Sequence, residues 1–259
     1  MGDEGKGKYA HIFSKNAKFV LRTTGGNNAG HTVVVDRQMF TVHLLPSSIV
    51  RSDVLSIICS GVVIDPEVFN DEIEKMREQW IPISSEKLLV SNRAHVIFPY
   101  TKDMDLYQEY IKEEKIGTTK RGIGPCYADK INRIGLRMDD LLNCSNDEAV
   151  RKIRNASKTS TALLKKFLGK SAVEFDNIYL QAFTYWKQYR HTLVPYITDE
   201  REIIFRALEV NQKIIIEGAQ SLYLDLDAGD YPYVTSSNPS TSGTAAAAGI
   251  GPKYIRNVL

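Results

Sequence analysis

The residues best equipped for chemistry open the chain. Gly2-Asp3-Glu4-Gly5-Lys6-Gly7-Lys8 has the parts of a phosphate-binding loop. Glycines let backbone N–H groups approach an anion, and lysines supply compact positive charge. The segment departs from the standard P-loop, because neither Ser nor Thr follows Lys6 and the leading glycine of that pattern would fall before Met1. A carboxylate beside a phosphate cradle needs a reason, and Asp3 suits two: holding a metal, or moving a proton. The competing reading of this segment is a solvated tail.

Three further segments carry reactive or anion-binding groups. Thr23-Thr24-Gly25-Gly26-Asn27-Asn28-Ala29-Gly30-His31-Thr32 holds only small or polar residues before one imidazole. Loops of this kind at a strand end are where ligands sit in open α/β sheets. A lone histidine is more often structural, but His31 has no apolar face around it, which favours function. Gly117-Thr118-Thr119-Lys120-Arg121-Gly122-Ile123-Gly124-Pro125, with Lys130 and Arg133 just after, has the make-up of an anion-binding turn or of an exposed basic loop. Glu217-Gly218-Ala219-Gln220 ends an apolar run, and Gln220 offers the donor and the acceptor that reading a purine edge or a ribose phosphate requires. The acidic stretch Asp225–Asp230 lacks the ligand spacing and closing glutamate of an EF-hand, which argues against calcium.

These segments need elements to hold them. Tyr9–Lys15 reads as a short helix, Phe19–Arg22 as a strand feeding the Thr23–His31 loop, and Val33–Leu45 as a hairpin about Asp36-Arg37. The apolar runs Val54–Ile64 and Leu88–Phe98 each suit one buried strand, and Pro66 opens a helix through Trp80. Helical spacing recurs over Asp103–Lys115, Asp147–Leu168, Phe175–Leu193 and Glu200–Glu209, whereas Gly117–Lys130 looks too glycine-rich to be regular. Lys213–Ile216 reads as a central parallel strand, Ser236–Gly251 as a small-residue polar stretch, and Pro252–Leu259 as a resumed helix. The alternation predicts an α/β fold with a largely parallel central sheet. We expect one domain over residues 1–259, with a helical insertion at approximately 100–200.

Composition narrows the class. A charge of +2 from 33 basic and 31 acidic residues is too small for binding nucleic acid or membranes through bulk charge. Cys59, Cys126 and Cys144 are widely spaced, so neither a disulfide framework nor a zinc site is expected, and a reducing cytoplasm is the default compartment. No apolar run approaches the ~20 residues that span a bilayer, and the first residues do not form an apolar signal segment.

Together the four segments resemble the adenylosuccinate synthetase family, whose signatures match GDEGKGK at 2–8, GGNNAGHT at 25–32, GTTKRGIGP at 117–125 and EGAQSLYLDLDAGDYPYVTSSN at 217–238. The resemblance implies a P-loop-like GTPase type of fold and a GTP-dependent ligase of purine (AMP) biosynthesis. That ligase joins IMP and L-aspartate into adenylosuccinate, with GDP and phosphate released, through a 6-phosphoryl-IMP intermediate. It implies Asp3 and His31 as the catalytic pair, Asp3 taking the N1 proton of IMP and His31 serving the phosphoryl group as an acid. It implies GTP contacts at Gly2, Asp3, Glu4, Gly5, Lys6, Gly7, Lys8, Gly30, His31 and Thr32, and Mg2+ on Asp3 and Gly30. IMP would meet Asp3, Lys6, Asn28, Ala29, Gly30, His31, Thr119, Gln220 and Thr235. Arg133 would come from the neighbouring subunit of a homodimer.

Members of that family are longer, starting with a strand before the glycine loop and continuing well past this chain's end. The chain is therefore expected to be partial, with the aspartate-binding and guanine-reading segments beyond Leu259. Two alternatives stand beside the ligase: a non-catalytic remnant that binds IMP or another nucleotide, and a phage-type ligase acting on a dGMP-like substrate. In the second, the aspartate of the first motif is expected to be altered, whereas Asp3 is present.

Overall fold

In a computed structural model of the chain, residues 5–168 and 177–258 are described. Gly2, Asp3 and Glu4 therefore lie outside the described residues.

The chain runs from helix α1 (Lys6–Ser14) into strand β1 (Phe19–Arg22) and the hairpin β2 (His31–Val35) and β3 (Gln38–Val42). Asp36 and Arg37 both take positive φ, which gives the hairpin a turn whose twist matches its strands. Next come β4 (Leu55–Ile58), β5 (Val63–Ile64), α2 (Pro66–Glu78), β6 (Leu88–Ser91) and β7 (His95–Val96). Asp65 caps α2 by accepting from Glu67 N–H, and Pro66 fills the first helical position. Five helices follow: α3 (Pro99–Ile111), α4 (Ile123–Ile131), α5 (Met138–Leu142), α6 (Asn146–Leu168) and α7 (Ile178–Leu193). The described part closes with β8 (Ile197–Thr198), α8 (Glu200–Glu209), β9 (Ile214–Glu217) and α9 (Thr241–Ala248).

The main sheet has the order β8-β6-β4-β1-β9 and every pairing in it is parallel. The α/β fold with a largely parallel sheet is thus as the sequence predicts. Adjacent residues of β4 point to opposite faces, as the period of two requires. Ile58 joins the larger core with Phe69 of α2 and Trp186 of α7, while Ile57 joins a second core with Ile204 of α8 and Ala245 of α9. Helices therefore cover both faces, the arrangement a parallel sheet needs. Among the described residues no helix is long and apolar enough to cross a membrane.

Several elements differ from the sequence reading, each for a local reason. The runs Val54–Ile64 and Leu88–Phe98 are not single strands; each breaks in the middle, and their second halves, β5 and β7, pair with one another away from the main sheet. The first break is steric: a Cβ at Gly61 would lie 2.1 Å from the Thr23 carbonyl oxygen, so the backbone there packs directly on the loop after β1. The Gly117–Lys130 stretch contains a helix after all, α4, because Gly122 supplies a left-handed cap (φ 74) and Pro125 falls in the first turn. Ser236–Gly251 also contains a helix, α9, built on alanines and capped by Ser240 on Gly243 N–H at 3.3 Å. Pro252–Tyr254 forms only a single 3-10 turn where a helix was expected. β9 is parallel but terminal in the described sheet, and its isoleucines are half-buried. α3 begins at Pro99 rather than Asp103, and the helix expected from Phe175 is described only from Ile178.

Candidate active site

β1 and β9 end side by side, with Arg22 registered against Glu217. Ligands of open α/β sheets bind beyond this carboxyl edge, and loops leave both strands here. Both charged side chains finish otherwise apolar strands, and both are buried. A buried charge must be paired or hydrogen-bonded to persist. Glu217 accepts from Ser47 Oγ at 2.7 Å and Ser47 N–H at 2.9 Å, and it bonds the Nδ1 edge of His31. Burial pushes its carboxyl upward, but the hydrogen bond and charge of His31, the charge of Arg22 and the bond from Ser47 outweigh this and hold it below the usual carboxylate range.

Arg22 donates to the carbonyls of Gly26 at 3.0 Å and His43 at 2.7 Å, tying the loop that delivers His31 to the segment that follows the β2–β3 hairpin. Burial lowers its guanidinium from the ordinary value, and Glu217 and Glu72 oppose that shift. Glu72 of α2 holds the chain after β3 by accepting backbone N–H groups of His43 (2.7 Å), Leu44 (3.1 Å) and Leu45 (2.9 Å).

His31 is 0% exposed, and its Nε2 has no hydrogen-bond partner among the described residues. Its Nδ1 faces a carboxylate, so Nδ1 carries the proton and Nε2 is the edge left for a ligand. α1 lies against it: a Cβ added at Gly7 would come within 2.9 Å of His31 Cβ and 3.0 Å of Ser47 Oγ, so only glycine fits. The structure thus brings Gly5, Lys6, Gly7 and Lys8, at the start of α1, beside His31. Gly30 precedes His31 in the loop and exposed Thr32 follows it in β2.

The same loop meets the third and fourth segments. Tyr127 of α4 accepts from Gly25 N–H at 3.0 Å and donates to the Gly61 carbonyl at 2.6 Å. Asn28 Oδ1 accepts from Gly26 N–H at 3.2 Å, closing a turn inside the loop, and Ala29 is half-buried beside it. Ala219 Cβ is 3.0 Å from where a Gly25 side chain would start, which places Gln220, half-buried with φ 72, near the same loop. Thr235 is half-buried and donates its N–H to the Leu224 carbonyl at 2.8 Å. Thr119 and Arg133 are exposed, and among the described residues no side-chain hydrogen bond or ion pair ties either to the rest of the site.

The acidic stretch has a structural task. Asp225 is buried and accepts from the N–H groups of Asp227, Ala228 and Ser240 and from Asn238 Nδ2, at 2.9 to 3.2 Å. It staples the segment between β9 and α9. Among the described residues no group of three or more His, Cys, Asp or Glu side chains could hold a metal ion.

A family model described as adenylosuccinate synthetase matches residues 1–259. The chain belongs to the adenylosuccinate synthetase family. It is 46% identical over 258 residues to the adenylosuccinate synthetase of Acetivibrio thermocellus, covering 99% of this chain and 59% of that one. To the enzyme of Caldicellulosiruptor bescii it is 44% identical, covering 100% of this chain and 59% of the other. A structure of fully ligated adenylosuccinate synthetase from Plasmodium falciparum superposes with a TM-score of 0.82 at 33% identity, covering 98% of this chain and 57% of that one. A succinoaminodeoxyadenylate synthetase of cyanophage S-2L, at 21% identity and a TM-score of 0.62 over 98% of this chain and 58% of its own, shares the fold. The chain spans about three-fifths of the length of the curated relatives it matches, 59% in each of these two.

Reasoning from sequence singled out His31 but not what orients it. Arg22, Ser47, Glu72, Asp65 and Tyr127 were not singled out either. A signal was present for Arg22 and for Glu217: both are charged residues closing apolar strands, where a charge is costly unless it has a partner.

Proposed function

We propose that this chain carries the IMP-binding and phosphate-handling part of a GTP-dependent ligase that joins IMP and L-aspartate to form adenylosuccinate, GDP and phosphate. The observation that carries the reading is the buried His31: Glu217 holds its Nδ1, and its Nε2, next to the glycine-rich start of α1, has no partner among the described residues. Family membership supports the same reaction.

In this reading Asp3 takes the proton from N1 of IMP, and the purine O6 then attacks the γ-phosphorus of GTP. The O6–P bond forms as the bond to the β,γ-bridging oxygen breaks, and GDP leaves. His31 donates from Nε2 to the phosphoryl group as charge builds there, and Glu217 stabilises the imidazolium that makes this donation possible. Exclusion of water around the pair strengthens both interactions. The amino group of aspartate then attacks C6, and phosphate departs with the C6–O6 bond. Phosphoryl transfer depends mainly on positioning and charge neutralisation, which is the work the backbone N–H groups of Gly5–Lys8 and the Lys6 ammonium would share.

Asp3 and the Gly30 carbonyl offer hard oxygen donors, and a site with few protein ligands suits Mg2+, which takes most of its shell from phosphates and water. Bound there, the ion would neutralise phosphate charge. IMP would be held by Asn28, Ala29, Thr119, Gln220 and Thr235. Arg133, exposed and without a side-chain hydrogen bond or ion pair among the described residues, fits a role across the interface of a homodimer. A cytoplasmic location accords with this substrate set.

The test is an assay, at the full length of the relatives, with IMP, aspartate and GTP. Adenylosuccinate should form, and His31→Asn and Asp3→Ala should each lower the rate by about 10² or more. Failure to form product, or an unchanged rate in either variant, overturns the reading; IMP binding without turnover would instead indicate the remnant. Competition between IMP and dGMP separates the phage-type substrate.

A further inference from the structure

Asp65 lies between β5 and α2 and is 1% exposed. Its Oδ1 caps α2 through Glu67 N–H at 3.2 Å and accepts from Tyr185 Oη of α7. A helix cap needs one oxygen. The second, Oδ2, is engaged elsewhere: Lys102 Nζ of α3 sits 2.8 Å from it, and Asn27 Nδ2 donates to it at 3.4 Å. Lys102 also reaches Glu67 at 3.3 Å and lies 5.3 Å from the centre of the Tyr185 ring. Tyr185 Oη in turn accepts from Glu67 N–H at 3.1 Å. One buried carboxylate therefore joins two helices of the helical layer to the loop that follows β1.

Asn27 sits in that loop, directly before Asn28 and four residues before His31. It is 2% exposed, and its Oδ1 has no partner among the described residues, so the bond to Asp65 is the hydrogen bond its side chain makes there. The backbone beside it is tied down as well, because Val63 N–H donates to the Gly25 carbonyl at 2.9 Å. We propose that Asp65 is a positioning residue for the IMP-binding loop, held in place by Lys102 and Tyr185, so that the packing of α3 and α7 sets the affinity for the purine nucleotide. The inference rests on the reading of Asn28 and its neighbours as the IMP site. Lys102 compensates a charge that burial would otherwise leave exposed to a low dielectric, and removing it weakens the anchor of Asn27 without touching the loop.

The experiment uses Lys102→Met, Lys102→Arg and the milder Tyr185→Phe, each compared with the unaltered chain in two measurements. Hydrogen exchange without ligand reports directly on the amides of residues 25–28, with those of β1 and β4 as internal controls. Calorimetry with IMP reports affinity. Lys102→Met and Tyr185→Phe should both speed exchange in the loop but not in β1 or β4. Each should weaken IMP binding by about tenfold, the usual scale for removing an orienting partner, and Lys102→Arg should restore both. Unchanged loop exchange overturns the proposal, as does faster exchange with IMP affinity within twofold. If the unaltered chain binds no IMP, the functional reading fails, while the exchange data still decide whether Asp65 holds the loop. Should Lys102→Met fail to fold, Tyr185→Phe alone decides.

Discussion

The Nδ1 edge of His31 is bonded to the carboxylate of Glu217, although 186 residues of chain separate the two. The bond fixes a tautomer. A carboxylate can only accept, so Nδ1 bears the proton and Nε2 faces whatever enters the site. Arg22 Nη1 lies 3.3 Å from the same Nδ1, but an arginine cannot donate to a protonated nitrogen. It serves instead as a counter-charge 3.7 Å from Glu217 and as a donor to two loop carbonyls.

Glu217→Gln removes the carboxylate charge beside His31 while keeping size and one acceptor oxygen. The rate of phosphoryl transfer to IMP in a single turnover should fall by about 10²-fold, with IMP affinity within a few-fold of the unaltered protein. An unchanged single-turnover rate would show that Glu217 does not act through His31. The substitution also has a signature in acid. The folded-state carboxyl titrates below its ordinary 4.5, so its contribution to stability is present above that value and is lost as pH falls further. Urea midpoints of the unaltered protein should drop below pH 4.5 more steeply than those of the variant.

His95 should leave its mark in a different window. Burial first, then the charges of Lys130 and Arg137, depress its imidazole from 6.5 to about 4, with Asp140 opposing. The fold therefore favours the neutral ring, while the unfolded chain protonates near 6.5. The stability this gives is complete above 6.5, declines as pH falls towards 4, and is gone below it. Urea midpoints between pH 7.5 and 4 should show that slope in the unaltered protein, and His95→Asn should flatten it. Equal slopes would mean that another group sets the acid sensitivity.

Asp225 offers a test of structure against metal binding. Asp225→Ala leaves three backbone N–H groups without their acceptor, while Asn238 Nδ2 keeps Asp227 Oδ2 at 2.6 Å. The loss should be about 1–3 kcal/mol, the scale for removing a charged acceptor whose donors water can partly satisfy. Thermal melts should show it, and neither a chelator nor added calcium should move the melting temperature of the unaltered protein. A calcium-dependent shift would assign the acidic run a ligand role instead.

Local chemistry was legible in the sequence wherever a residue type does the same thing in any context. The hairpin at Asp36-Arg37, the start of α2 at Pro66 and the span Glu200–Glu209 follow from turn residues, capping and helical spacing, and the structure has them within a few residues. Reading failed where packing overrides local preference. Nothing within Val54–Ile64 announces that its second half leaves the sheet, since the cause is the Thr23 carbonyl, some forty residues earlier. The glycines near Gly122 suggested an irregular stretch, yet one of them supplies the left-handed cap that begins α4.

By itself the sequence determined the α/β class, the four chemistry-bearing segments and the family, because each depends on residue identity at short spacing. It could place His31 at the end of a polar loop, but not which nitrogen would be free. That was decided by tertiary structure, when parallel pairing of β1 with β9 set Arg22 beside Glu217 and delivered both under the imidazole. Sheet register is a long-range property, fixed by which apolar faces must be buried together, and a run of adjacent residues cannot reveal it.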